Sequence, residues 1–171
     1  MSKVKLVKLS SEFNEDIYNM LQNIVDRENG FSNPAYGLTK TEYKKWLKEQ
    51  EKHSFGKNLP ENWVPYTTFV LFVDNVPAGI GRVRHGSNKY LETIIGAGNL
   101  GYAISKDYRG KGYGTQLFSL LLKECKKIGY EKIKLFPLKT NFPTIKIMLK
   151  HGGRIIGEFN EEKTIIEIEI K

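Results

Sequence analysis

Residues 101–116 read GYAISKDYRGKGYGTQ, and they place a strand, a glycine-rich turn and the start of a helix in direct succession. The turn contains three glycines, Gly110, Gly112 and Gly114. Glycine permits positive φ and has no Cβ to keep a ligand away from the backbone. The first N–H groups of the following helix have no partner within it and carry the positive end of its macrodipole. Because Arg109 and Lys111 add positive charge there, the segment predicts a site for a diphosphate group.

Two familiar phosphate-binding motifs do not fit this spacing. A P-loop requires G-x-x-x-x-G-K-[ST], but Lys111 precedes the last two glycines and Thr115 follows the last one. The dinucleotide fingerprint requires G-x-G-x-x-G, and the alternation of glycines from Gly110 to Gly114 breaks it. Both motifs are therefore disfavoured.

The composition is that of an ordinary globular chain with a surplus of positive charge. Of its 171 residues 40% are hydrophobic, and Lys+Arg 27 against Asp+Glu 19 leaves a net charge of +8. This length predicts one domain over residues 1–171, and the charge favours an anionic ligand. The single cysteine, Cys125, excludes an internal disulfide framework, and no ligand spacing predicts a metal site. Without an apolar run of about 20 residues or a signal peptide, the chain is expected to be cytoplasmic with no membrane partner.

Hydrophobic periodicity predicts the element order β-α-α-β-β-β-α-β-α-β-β, an α/β (α+β) fold with one mixed sheet flanked by helices. A capping box at Thr39–Glu42 starts the second helix, and Ser10-Ser11 are expected to introduce the first. The pattern assigns no definite secondary structure to residues 86–98, and a short helix near 89–94 is one interpretation. The expected strands lie near residues 4–9, 67–74, 78–85, 99–105, 132–138, 154–159 and 164–170. The other expected helices lie near residues 13–25, 112–128 and 143–150.

The turn and the segment after it resemble the GNAT superfamily of N-acetyltransferases. Arg109-x-x-Gly112-x-Gly114 matches the family's acyl-CoA diphosphate loop, [Q/R]-x-x-G-x-[G/A]. Residues 141–153, NFPTIKIMLKHGG, resemble the family's N-x-x-[A/S]-x-x-x-Y-x-x-x-G-F helix, with Asn141 in the Asn position and Thr144 in place of the small residue. A weaker resemblance, to a bacterial subgroup of predicted acetyltransferases, runs from Arg84-His85 to Gly98-x-Leu-Gly-Tyr102.

The resemblance covers residues 67–170 and implies the acyl-CoA N-acyltransferase fold, with a mostly antiparallel sheet. It implies transfer of an acetyl group from acetyl-CoA to a primary amine of a small molecule or peptide, by direct attack in a ternary complex. Strand 99–105 is then expected to diverge from strand 132–138, with pantetheine between them. Pantetheine is assigned to Ala103, Ile104 and Ser105, with Asn141 near the same arm or acting only as a helix N-cap. The diphosphate is assigned to Arg109, Gly110, Lys111, Gly112, Tyr113, Gly114 and Thr115.

The chemistry requires a neutral amine, a donor for the oxyanion and a proton for the departing thiolate. The catalytic candidates are His85, for its intrinsic pKa; Glu92, as a base acting directly or through water; and Tyr102, as a proton donor. Each has a plain structural alternative, as a solvated histidine, a surface acid and a core aromatic. The tyrosine that the family often uses as an acid falls at Met148 here, and methionine cannot donate a proton.

The sequence alone leaves two other functions as alternatives. Because Met148 replaces the usual acid, one alternative is a catalytically weak sensor that binds acyl-CoA without turnover. A basic nucleic-acid-binding module is less favoured, because the lysines are spread over every segment and no aromatic residues interleave with a basic stripe. We therefore expect no nucleic acid partner, and leave a homodimer open.

Overall fold

The computed structural model describes residues 1–171. It confirms the expected fold class, in which antiparallel strands are flanked by helices. The strands are β1 (Val4–Lys8), β2 (Tyr66–Val73), β3 (Val76–Arg84), β4 (Leu100–Ile104), β5 (Lys132–Leu135), β6 (Arg154–Glu158) and β7 (Thr164–Glu169). The helices are α1 (Glu15–Gln22), α2 (Lys40–Ser54), α3 (Tyr113–Lys127) and α4 (Phe142–Lys150). Short helical turns occur at Glu28–Gly30, Leu91–Ile95 and Lys106–Tyr108.

The strands form two hydrogen-bonded sheets where a single one was expected. One sheet has the order β1-β2-β3-β4 and the other β5-β7-β6, and every pair is antiparallel. The sheets meet where Asn99 N–H donates to the Lys134 carbonyl at 3.0 Å and Asn99 Oδ1 accepts the Lys134 N–H at 2.8 Å. Beyond this contact β4 and β5 do not pair, so a cleft opens between them.

The ends of α1 and α2 are set by side chains that bond to the backbone. Thr39 and Glu42 form the expected capping box, with the Glu42 carboxylate accepting the Thr39 N–H at 2.8 Å. The first helix is shorter than expected. The predicted N-cap, Ser10-Ser11, is wrong: the side chain of Asn14 caps this helix and accepts the N–H of Ile17 at 3.0 Å. The buried side chain of Asn33 bonds to two carbonyls at the end of α1, a long-range contact that local patterns do not encode.

Helices cover both faces of the four-stranded sheet. The helix α3 packs on one face through Leu117, Phe118 and Leu121, and α1 and α2 pack on the other. A Cβ at Gly81 of β3 would lie 2.7 Å from a methyl group of Leu121, so this glycine is what lets α3 approach the sheet. Cys125 is fully buried on α3, and burial raises the pKa of its thiol to about 12, as suits a packing residue. None of the helices is both long and apolar enough to cross a membrane.

Candidate active site

The glycine-rich turn has the open backbone that its sequence predicts. Gly110 and Gly112 have φ of +72° and +84°, and a Cβ at either position would meet no atom within 4 Å. Gly114 differs from the expectation, because it lies within α3 and has no positive φ. A Cβ there would be 3.4 Å from Ile147 of α4, so this glycine is a point of close helix packing.

The backbone N–H groups from Gly110 to Thr115 have no acceptor within the chain. The first bonded N–H is that of Gln116, which donates to the Gly112 carbonyl at 3.3 Å. No side chain caps α3, and no acidic residue lies in its first turn. An anion at this place would therefore satisfy a run of unpaired donors and interact favourably with the helix dipole.

Arg109 and Lys111 are both engaged within the chain. The Arg109 Nε donates to the Ile104 carbonyl at 2.9 Å, and its Nη1 donates to the Glu28 carboxylate at 2.6 Å. Lys111 Nζ donates to the Asp107 carbonyl at 2.8 Å. Arg109 thus ties the end of β4 to the segment after α1, and its charge lies at the edge of the turn.

Glu28 is a site residue that the sequence analysis missed. The hydrogen bond from Arg109 holds the pKa of the Glu28 carboxyl below its usual range, and its second oxygen is buried without a partner. Glu28 lies 81 positions before Arg109 in the chain, and no local pattern marks it. The tertiary fold alone brings the two together.

The free edge of β4 presents a different set of backbone groups from the one expected. Ser105 N–H donates to the Ala78 carbonyl at 2.9 Å, and the register pairs Ala103 with Ile80 of β3. Bonding directions alternate along an antiparallel strand, so the outward N–H groups belong to Tyr102 and Ile104. Of the three residues assigned to pantetheine, Ile104 therefore has its N–H on the free edge, while the backbone groups of Ala103 and Ser105 face β3.

Two cavities meet at the splayed strands. The first, which we call the loop cleft, is about 500 Å³ in volume and is lined by the glycine turn, Ala103, Ile104 and the first turns of α4. The second, which we call the arginine pocket, is about 230 Å³ and is lined by Arg82 and Arg84 of β3. Both cavities are lined by Asn29, Phe31, Tyr102, Asn141 and Thr144.

Tyr102 is the predicted catalytic residue that lies at this junction. Its hydroxyl forms a hydrogen bond with the Thr144 hydroxyl of α4. Burial raises the pKa of Tyr102 to about 12, so the phenol is neutral and can donate a proton at pH 7. Met148 is 6% exposed and lines the arginine pocket, where the family motif has its tyrosine.

Asn141 is the N-cap of α4 and also lines both cavities. Its Oδ1 accepts the Thr144 N–H at 3.4 Å as the N-cap of α4, and its Nδ2 donates to the Asn29 carbonyl at 3.3 Å. Because it also lines both cavities, its amide is within the cleft as well as at a helix end.

His85 and Glu92 line neither cavity. His85 Nε2 is 2.8 Å from the Thr67 hydroxyl, and strand alternation puts His85 on the opposite face of β3 from Arg84. Glu92 is half-buried in the helical turn after β3, with its carboxylate 3.7 Å from Lys134 Nζ. The position of His85 near a strand end did not specify which face its side chain would occupy.

Comparison with known proteins matches this geometry to one family. The sequence profile of the acetyltransferase (GNAT) family matches residues 33–153, which include the turn and α4. The chain belongs to the GNAT acetyltransferase family. It is 26% identical over 147 residues to the uncharacterized N-acetyltransferase YobR of Bacillus subtilis (strain 168). That match covers 81% of this chain and 57% of YobR, so the chain spans little more than half of that relative's length.

Solved structures share the fold at low sequence identity. A GNAT acetyltransferase of Streptococcus pneumoniae has a TM-score of 0.66 at 18% identity, covering 98% of this chain and 100% of that one. RimL, a ribosomal L7/L12 α-N-protein acetyltransferase solved with coenzyme A, has a TM-score of 0.70 at 13% identity, covering 98% and 94%. At these identities the likeness concerns the fold alone.

Proposed function

We propose that this chain is an N-acetyltransferase that moves an acetyl group from acetyl-CoA to an amine by direct attack within a ternary complex. The observation that carries the proposal is the run of unpaired N–H groups from Gly110 to Thr115, at the mouth of a cleft between strands that splay apart. A diphosphate meets the need of those donors, and an extended amide-bearing arm suits the open edge of β4.

The turn and β4 supply the binding groups. The N–H groups of the turn hold the diphosphate, and Gly112 lines the same cleft with open space where a Cβ would be. The N–H groups of Tyr102 and Ile104 lie along the arm, and one of them donates to the oxyanion that forms at the thioester carbonyl. A single such donor contributes about 3–4 kcal/mol in other enzymes.

Tyr102 is the proposed proton donor. Its neutral phenol lies where the two cavities meet, and the Thr144 hydroxyl holds it in place. The neutral amine attacks the thioester carbonyl, the carbon–sulfur bond of the resulting tetrahedral intermediate breaks, and the Tyr102 hydroxyl gives its proton to the sulfur. The proton that the nitrogen loses on becoming an amide passes through water to the Tyr102 phenolate and restores the phenol. This supports turnover without the tyrosine that Met148 replaces.

The amine loses its proton without help from a histidine. No histidine lines either cavity, and Glu28 is the one carboxylate that does. Arg109 keeps the pKa of Glu28 low, which makes it a weak base. The reactive species is therefore the neutral fraction of the amine, and its proton passes to water.

A thiol-release assay over a panel of amines tests the proposal, with a thermal shift by acetyl-CoA measured first. We expect acetyl-CoA to raise the melting temperature, because a ligand that binds only the folded state stabilises it. We expect release of CoA to depend on the amine. Binding of acetyl-CoA with no amine-dependent release would instead indicate an acyl-CoA sensor, and no binding would contradict both functions.

A further inference from the structure

The arginine pocket is cationic and contains no acidic side chain. Arg82, Arg84 and Lys163 line it, and none of its other lining residues is Asp or Glu. Such a pocket would repel a polycationic acceptor. It would attract a molecule that carries negative charge of its own.

Arg82 and Arg84 are held in matching ways on one face of β3. The Nη1 of Arg82 donates to the Ser32 carbonyl at 2.6 Å, and its guanidinium lies 4.8 Å from the centre of the Phe31 ring. The Nη1 of Arg84 donates to the Gly98 carbonyl at 2.6 Å, and its guanidinium lies 5.5 Å from the Trp63 ring. One carbonyl and one ring thus orient each group.

Most of the hydrogen-bonding capacity of these guanidinium groups is unused. Each has five N–H donors, and one nitrogen of each is bonded within the chain. The Nε of Arg84 is buried without a partner. The arginines that form salt bridges are Arg27, Arg109 and Arg154.

The charged surroundings do not neutralise the pair. Burial lowers the pKa of Arg82 to about 10, and repulsion from Arg84 adds to that effect. Tyr66 faces both groups and Tyr130 faces Arg84, and Asp26 acts on Arg82 from beyond ion-pair distance. Two neighbouring cations without a close carboxylate are costly, and an anion between them would relieve that cost.

We propose that the acceptor is a small molecule that carries an oxyanion as well as its amine, and that Arg82 and Arg84 bind this oxyanion. The inference rests on the acetyl transfer proposed above and names its substrate class. The oxyanion is a carboxylate or a phosphate, both of which match the planar fork of arginine. The pocket of about 230 Å³ is smaller than the roughly 300–1,000 Å³ of sites for drug-sized ligands, which favours a small acceptor over a protein segment.

Matched amines test this directly. One set comprises an amino acid, its carboxamide and the amine without the carboxyl group, and a second set comprises O-phosphoethanolamine and ethanolamine. We expect kcat/KM to be at least tenfold higher for the members that carry the oxyanion. A preference within only one set would identify the oxyanion as carboxylate or phosphate, and equal rates in both sets would overturn the inference.

Substitution of the arginines assigns the effect to the pocket. Arg84→Gln should lower kcat/KM for the anionic amine about tenfold to a hundredfold, mainly through KM, and should lower it for the neutral match by a much smaller factor. Arg84→Lys keeps the charge and should give a smaller loss of kcat/KM for the anionic amine. It also provides the test if Arg84→Gln does not fold. Arg154→Gln removes a more exposed arginine of β6 as the matched control and should change neither rate. Equal losses for the anionic and neutral amines would contradict the assignment.

The two proposals can fail separately. If acetyl-CoA produces no thermal shift, the acetyltransferase function fails. If acetyl-CoA binds but no amine is acetylated, binding of N-acetyl amino acids and their carboxamides is followed through the emission of Trp63, which lies against Arg84. A preference for the carboxylates that Arg84→Gln removes would support the anion site, and no preference would overturn it.

Discussion

Gly112→Val and Gly129→Val form a matched pair that separates folding from binding. The two glycines have φ of +84° and +94°, and a Cβ at either would meet no atom within 4 Å. Both variants should therefore lose a similar free energy of unfolding, about 1–2 kcal/mol for a side chain in the left-handed region. For a domain of this size that is a fall of about 2–8 °C in melting temperature.

Only one of the pair should lose acetyl-CoA binding. Gly112 lines the loop cleft, whereas Gly129 follows the far end of α3. A valine at 112 would displace the diphosphate from at least two N–H donors, and each hydrogen bond to a charged group is worth about 1.5–3 kcal/mol. The dissociation constant should rise more than about a hundredfold.

The assay is a thermal shift with acetyl-CoA, supported by calorimetric titration. At about a hundredfold excess over the dissociation constant, the ligand should add about 2.7 kcal/mol to wild type and to Gly129→Val. That is a rise of about 5–11 °C, and at the same concentration Gly112→Val should shift by about 1 °C or less. An equal rise in both variants would refute the assignment of the turn.

Tyr102→Phe should lower kcat about a hundredfold with little change in acetyl-CoA affinity, because it removes the proposed proton donor and keeps the ring. Tyr90→Phe, at an exposed site, is the control, and a kcat of Tyr102→Phe within threefold of wild type would exclude the assigned role. The rate should rise with pH toward the pKa of the acceptor amine, and His85→Asn should leave this profile unchanged, since His85 lines neither cavity. Burial lowers the pKa of His85 below the ordinary imidazole value, so loss of an inflection in the acidic range in that variant would identify His85 as the base. Glu28→Gln should reduce stability at pH 7 by about 0.5–1 kcal/mol, the range of a partly exposed pair. Because Arg109 lowers the folded-state pKa of Glu28, this stabilisation is present above the unfolded value of about 4.3 and is lost as pH falls through the folded value. Unfolding curves of wild type and Glu28→Gln should therefore converge at acidic pH, and a constant difference would rule out the linkage.

Features that depend on neighbouring residues were predictable from the sequence. The capping box at Thr39 and the open turn at Gly112 are encoded within a few positions, and both occur as predicted. The motif at Asn141 correctly placed the start of α4. Element boundaries were less accurate, because the end of α1 is set by the distant side chain of Asn33.

Features that depend on which face a side chain occupies were not predictable. His85 and Arg84 are adjacent in sequence, yet strand alternation sends only Arg84 into the cleft. The arginine pocket is built from β3, the loop after α1 and the segment before β4, so its charge follows from the tertiary fold. Glu28 was missed for the same reason, since its partner Arg109 lies in another part of the chain.

The most direct measurement is a titration of ¹⁵N-labelled protein with coenzyme A, observed through the backbone amide resonances. If the turn binds the diphosphate, the largest shifts should fall on residues 110–115, whose N–H groups have no acceptor within the chain. The basic groove at the far ends of α3 and α4, lined by Lys123, Lys126 and Arg154, should change little. Shifts concentrated in that groove, with residues 110–115 unaffected, would show that the turn is not a diphosphate site.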